Sequence, residues 1–352
     1  MIFARTVLIS TVSLVAVESA PAAAEGQQRS GKALFVQHCA RCHTTRASGL
    51  DESHPLFANF EAPPADFTDP MFNSMEPAAD WALVVEHGGT RMGLSAQMPA
   101  HTGRLTSDEI ERIVAYLKTV PDTRCYPRGE LNHLRPIITK KAFPETEFLV
   151  LGRWDAADAN IWKSTLYYAH RLGRRWSVEV KPSLVTGGGE REFEAEIGAK
   201  VAVYTGQELL LTVGAEAEFP LEFNERPVAI PYFAHASMLG ELFTLQGALD
   251  ADLPLEDLEA GRVRLSEAVH WKASAWRRGL FPGLEVTGWM PLSSDGDWGV
   301  SLTPQLYWGL SKRGHVAFTV GVEFPLHGAD YDFRGHSFLL WDIADGPFWE
   351  GW

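Results

Sequence analysis

Cys39, Cys42 and His43, in "FVQHCARCHTTR" (35–46), form the densest cluster of reactive side chains in the chain: two thiols three positions apart, with an imidazole directly behind them. Four chemistries use such a pair: a disulfide, a zinc site, thiol exchange, or covalent attachment of haem. Zinc asks for two further cysteines or histidines at matching spacing, and only isolated histidines follow. Thiol exchange at a C-x-x-C step belongs to a strand–helix–strand setting that the flanking residues do not supply. A C-x-x-C-H run is the attachment pattern of c-type haem. Both thiols become thioethers to the porphyrin vinyl groups, and His43 serves as an axial ligand to the iron. One haem c per chain is expected, which consumes both thiols and removes the need for a disulfide.

The elements around the motif have to deliver it. In "GKALFVQHC" (31–39), Leu34 and Phe35 stand at helical spacing from Gly31, which predicts a short helix leading into the cysteines. "LTSDEIERIVAYLKTV" (105–120) opens with Thr106 and Glu109 in capping-box register. Ile110, Ile113, Val114 and Leu117 then form one apolar stripe. Two terminal helices with a haem attachment between them resemble class I cytochrome c. The resemblance implies that Phe35 packs near Tyr116, and that the distal iron ligand is the methionine of a Met-Pro step before the last helix. Met98-Pro99 in "MGLSAQMPAHTGRL" (92–105) fits, so Met98 is the expected axial partner of His43. Met92 and His101 are rivals, and an ordinary gap-filling role is the structural alternative for Met98. "APPADFTDP" (62–70) is similar to the haem-edge loop of small bacterial cytochromes related to oxidase subunits. His54 and His87 read as surface or loop residues. A His/Met pair raises the reduction potential relative to two histidines and leaves no open iron position, which suits electron transfer.

The rest of the chain sets the context. Residues 1–24 read as an export signal: Arg5, an apolar run of 11 residues at 7–17, then Ala22-Ala23-Ala24. That run is too short to span a bilayer as a helix. The net charge of −14 argues against nucleic acid as a partner, because phosphate binding needs a cationic face. Three cysteines in all exclude a disulfide scaffold, and Cys125 is the odd thiol. The expected organisation is a signal peptide (1–24), a mono-haem domain (25–120), a linker (121–144) and an all-β domain (145–352). The linker mixes Pro, Gly and charges without periodicity.

From Glu145 the hydrophobic period changes to two. In "EFEAEIGAKVAVY" (192–204), Phe193, Ala195, Ile197, Ala199, Val201 and Val203 share a face opposite Glu192, Glu194, Glu196 and Lys200. About twelve such segments follow one another without a helical pattern, which predicts an antiparallel up-and-down barrel. Pro220, Pro254, Pro291 and Pro325, each between an apolar residue and Leu, recur at intervals of 34, 37 and 34. One hairpin fills each interval, with proline placed where a strand has no ladder bond to lose. Alternation alone fits both a soluble barrel, with the aliphatic face inside, and a membrane barrel, with that face outside. The outer-membrane form is expected from segments of about ten residues, a charged polar face, short turns after even strands and the terminal aromatic Trp352. Trp154, Trp162, Trp176, Trp308 and Trp341 fall near segment ends, where an interfacial girdle would place them.

The domain order resembles cytochrome–porin fusions of the outer membrane. The resemblance implies a haem domain on the periplasmic side, or tucked into the barrel mouth, exchanging single electrons with periplasmic redox proteins at or across a membrane held by the barrel. Glu194, Glu196, Glu216 and Glu218 in the lumen could attract a cation such as Fe²⁺, or a small redox carrier could enter; a charge network with Lys and Arg is the structural alternative. A soluble periplasmic carrier whose β-domain docks a partner or substrate remains the other class. No Ser/His/Asp, P-loop or metal-ligand pattern occurs in 145–352, so electron transfer is favoured over an enzyme with its own substrate.

Overall fold

Ser30 starts the first helix: its hydroxyl accepts the Ala33 N–H at 3.2 Å, satisfying one of the donors that a helix start leaves without a partner. The computed structural model describes residues 29–156, 160–220, 227–240, 242–272, 276–294, 296–329 and 331–343. The expected export signal and Trp352 lie outside the described residues. Helix α1 (Gly31–His38) leads directly into α2 (Ala40–His43), and α3 (Pro70–Met75), α4 (Ala78–Met92) and α5 (Ser107–Lys118) follow. Thr106 and Glu109 form the reciprocal capping box at the start of α5, as the sequence predicts. The α5 stripe of Ile110, Ile113, Val114 and Leu117 is buried against Leu34 and Phe35 of α1. Gly31 permits the close crossing, because a methyl there would run into the Arg112 carbonyl. Phe35 and Tyr116 meet with ring centroids 5.6 Å apart.

The period-two region builds twelve strands. They are β1 (Glu147–Ala156), β2 (Ile161–Arg171), β3 (Trp176–Gly187), β4 (Glu190–Thr205), β5 (Leu209–Pro220) and β6 (Val228–Leu239). Then come β7 (Phe243–Pro254), β8 (Arg262–Trp271), β9 (Gly279–Pro291), β10 (Gly299–Gly309), β11 (Val316–His327) and β12 (Phe333–Asp342). Every strand pairs antiparallel with its sequence neighbours, and β1 closes the ring against β12. Pro220, Pro254 and Pro291 are the last residues of their strands, while Pro325 stands two positions before the end of β11.

Strand register decides which face is which. On β3, Val178 and Val180 point outward and are 38% and 40% exposed, whereas Glu179 between them is buried toward the lumen. Val180 lies opposite Tyr168 on β2 and Ile197 on β4, both also outward. Inside, Thr212, Gln246, Glu285, Thr303 and Thr319 are all but fully buried. A soluble barrel with an aliphatic interior is therefore not what the chain builds: the apolar face surrounds the outside. Exposed tryptophans edge that surface at both ends, with Trp176, Trp271 and Trp308 at one and Trp162 and Trp298 at the other.

Residues 129–145 do more than connect: they run back into the lumen and fill it. An extended segment with no sheet partners must find partners for its backbone groups elsewhere. The barrel wall supplies them. Gln246 Nε2 donates to the Leu134 carbonyl (2.7 Å), Thr212 to Ala142 (2.8 Å) and Lys200 to Lys141 (2.9 Å). The fully buried Glu285 carboxylate accepts the N–H groups of Ile137, Ile138 and Thr139, the Thr139 hydroxyl and Gln305 Nε2. Ion pairs Arg135–Glu147 and Lys140–Glu216 fasten both ends of the turn.

The helical domain caps the end of the barrel where even strands turn into odd ones. Arg277, between β8 and β9, binds Asp80 of α4 (2.8 Å). Lys312, between β10 and β11, reaches the Thr90 carbonyl (3.3 Å). The His87 ring, expected at the surface or in a loop, lies in α4, partly exposed, and stacks on Trp276 of the barrel at 5.0 Å.

Candidate haem site

The turn joining α1 and α2 places the thiols. Cys39 N–H closes the last bond of α1 on the Phe35 carbonyl (2.8 Å), and His43 N–H returns to the Cys39 carbonyl (3.0 Å). Cys39, Cys42 and His43 thereby share one turn and one cavity wall. The two thiols are not joined as a disulfide. Burial pushes the Cys39 thiol up to about 11, with the neighbouring Cys42 adding to it, so Cys39 is not a ready thiolate for zinc or exchange chemistry. Burial lowers the His43 pKa and keeps its imidazole neutral, as an iron ligand requires. Its Nδ1 lies 3.2 Å from the Ala65 carbonyl, in the "APPADFTDP" loop. With the proton on Nδ1 donated to that carbonyl, Nε2 keeps its lone pair for iron.

Met98 reaches the same cavity through a device the sequence reading did not single out. Helix α4 breaks at Gly88, whose φ of 76° suits glycine. The next residue, Gly89, donates its N–H to the Met98 carbonyl (2.9 Å) and accepts from Leu94 N–H (2.8 Å). A methyl at Gly89 would collide with the Ser95 carbonyl, so the Met98 loop can lie this close only on glycine. The paired glycines inside a helical pattern were the available signal for this break.

The cavity has a volume of about 440 Å³, within the roughly 300–1,000 Å³ typical of sites for small organic groups. Its walls are mostly apolar, with Phe60, Pro64, Phe67, Trp81 and Val84 among them. Cys39, Cys42, His43 and Met98 all line it, and so do the rivals Met92 and His101. His101 and His38 face each other edge to face at 6.3 Å, and His101 Nδ1 and His38 Nε2 are buried without a hydrogen-bond partner. Two thiols, a neutral imidazole and a thioether around an apolar space fit a c-type haem. Sequence reasoning missed a further part of this wall: Arg277, Lys312, Arg313 and His315, all more than 230 positions after His43, come from the barrel turns. No local pattern marks them.

The remaining candidates fall elsewhere. His54 Nδ1 accepts the Leu56 N–H (3.2 Å) in a local turn. Cys125 is exposed, and its carbonyl accepts from Arg175 (2.9 Å). The lumen carboxylates meet lysines. Glu194 and Glu218 face Lys163, Glu196 and Glu216 face Lys181, and Lys140 adds to Glu216. Glu179, Glu196 and Glu216 bring carboxylate oxygens within 4.8 Å of one another, but Lys181 stands among them. The geometry is that of a charge network, the alternative to a site for Fe²⁺.

Residues 26–117 match the family model for subunit III of cbb3-type cytochrome c oxidase. That match establishes a cytochrome c domain over the helical part and implies haem binding there. No curated protein matches the chain. Among solved structures, the KdgM porin aligns at 10% identity and a TM-score of 0.44, covering 56% of this chain and 99% of the porin. The NanC porin aligns at 8% and 0.45, covering 55% and 98%. An outer membrane channel from Pseudomonas putida F1 aligns at 11% and 0.41, covering 59% and 99%.

Proposed function

We propose that the chain is a c-type cytochrome that transfers single electrons through one haem held by Cys39, Cys42, His43 and Met98, and that its plugged barrel fixes it in an outer membrane. The convergence of those four side chains on one apolar cavity carries this reading. Iron in such a site supplies a one-electron couple whose potential a thioether ligand raises relative to two histidines. Within the chain, Ala65 orients His43, the Gly88–Gly89 break seats Met98, and Phe60, Phe67 and Trp81 would give the bound group an apolar bed. The outward apolar surface with tryptophans at both ends supports membrane insertion. The plug in the lumen supports a mount rather than an open pore. The haem domain then faces the periplasm, where soluble redox proteins give and take the electron at its outer face.

Full-length protein produced with a haem-ligation apparatus tests the reading. The expected result is covalent haem stain in the outer-membrane fraction and a ferric sulfur-to-iron absorption band. Met98→Ala should abolish that band, while Met92→Ala and His101→Ala retain it. A protein without Soret absorbance, or one recovered from the periplasm without detergent, would overturn the proposal.

A further inference from the structure

His101 lines the haem cavity beside the four side chains proposed to hold the group. Only 5% of the residue is exposed, and its Nδ1 is buried with no hydrogen-bond partner among the described residues. Leaving a buried polar atom without a partner is costly, so the position needs a reason. The ring is held in place, because His38 meets it edge to face with centroids 6.3 Å apart. Burial, then His38 and Arg104, lower the His101 pKa, which keeps the ring neutral with a lone pair on one nitrogen. Met98 and His101 also hang from different parts of α4. Met98 is tied by its carbonyl to the N–H of Gly89, past the break at Gly88. His101 is tied before the break: its N–H donates to the Val85 and Glu86 carbonyls at 3.1 and 3.2 Å. Thr102 adds its N–H (3.0 Å) and its hydroxyl (2.6 Å) to the Glu86 carbonyl. Only Pro99 and Ala100 separate the two side chains in sequence. Movement of Met98 off Gly89 therefore leaves the anchors of His101 intact.

We infer that His101 is a second distal ligand held in reserve: when the Met98 sulfur is withdrawn, His101 takes the same iron position through Nδ1. The inference rests on the haem reading above and goes beyond it, since that reading gives the distal position to Met98. In the exchange a sulfur–iron bond breaks and a nitrogen–iron bond forms. No electron moves, and the ring keeps its proton on Nε2. Two histidines give a lower potential than a His/Met pair. Displacing the Met98 loop thus lowers the potential without opening the iron to small ligands, and the protein stays an electron carrier.

The test is the ferric spin state of the full-length, haem-loaded protein in detergent, read by electron paramagnetic resonance and absorbance. Met98→Ala should stay low-spin without the sulfur-to-iron band, and redox titration should place it below wild type. Met98→Ala/His101→Ala should turn high-spin. Added imidazole should return the double variant to low spin, which shows that its pocket is intact. Imidazole should also bind the double variant at least about tenfold more tightly than Met98→Ala, where His101 must first be displaced. Should the double variant lose its haem or fail to take up imidazole, Gly89→Ala with and without His101→Ala is read in the same way. High-spin iron in Met98→Ala, or low-spin iron that persists in the double variant, overturns the inference while leaving the haem reading standing. Absence of Soret absorbance in the wild type would instead remove the reading beneath it.

Discussion

Replacing Gly89 by alanine should detach the Met98 loop from helix α4. The added carbon would sit within the Ser95 carbonyl oxygen's van der Waals sphere and 3.1 Å from Met98 Cβ. Relief requires the loop to withdraw by about 1 Å. A coordinating group has to be held within roughly 0.5 Å of its working position, so Met98 would lose the role of iron ligand proposed for it. Overpacking at a tight site costs about 1–3 kcal/mol, and the 2.9 Å bond from Gly89 N–H to the Met98 carbonyl is strained as well. Gly103 provides the contrast. Its φ is +75°, yet a methyl there meets nothing within 4 Å. Gly103→Ala should therefore cost only backbone strain, about 1–2 kcal/mol, with ligation intact. The assay pairs thermal unfolding with the ferric sulfur-to-iron band. Gly89→Ala should lose the band and Gly103→Ala should keep it. A Gly89→Ala protein that retains the band, with stability within about 0.5 kcal/mol of wild type, would refute the claim that glycine seats the distal ligand.

Glu285→Ala should free the lumen segment. The carboxylate is the shared acceptor for three backbone N–H groups and the Thr139 hydroxyl, and hydrogen bonds to a charged acceptor contribute about 1.5–3 kcal/mol each. Single-channel recording should show openings absent from wild type, with new proteolytic cleavage between 131 and 145; a closed, resistant variant would contradict the plug. Asp80 has its carboxyl raised from 3.8 to about 7, first by burial and then by the Glu76 charge. Its neutral form therefore stabilises the domain contact fully below about pH 4, and that contribution fades as pH rises through 7. Burial alone would raise Glu76, but Arg277 and His315 hold it at about 2, so its own window closes below pH 4.5. Asp80→Asn should flatten the decline in melting temperature between pH 5 and 8, and an unchanged slope would count against the assignment. Val180→Arg places a charge on the outward face at mid-strand and should cost about 2–4 kcal/mol in a lipid setting, read as loss of heat-modifiable migration; normal migration would argue against a membrane there.

Much of this architecture is written locally. The C-x-x-C-H run, the Thr106/Glu109 capping box and the α5 stripe each act over a few residues, and their structure follows the sequence closely. The strands are equally legible, because side chains that alternate in type must alternate in direction. Three features were not legible. Which barrel face points out was one that alternation by itself left open, since it is the same in both settings; segment and turn lengths favoured the apolar face outside, and the exposed Val178 and Val180 flanking the buried Glu179 show it there. The role of 129–145 was another: it lacks periodicity because its partners are scattered lumen groups on β5, β7 and β9, and not its own neighbours. The last was the cationic wall of the haem cavity, since Arg277 and Lys312 meet α4 only because the barrel closes and its turns come up beneath the helical domain. Short-range bonding and period are properties of the chain, whereas charge complementarity between distant segments exists only once the fold has brought them together.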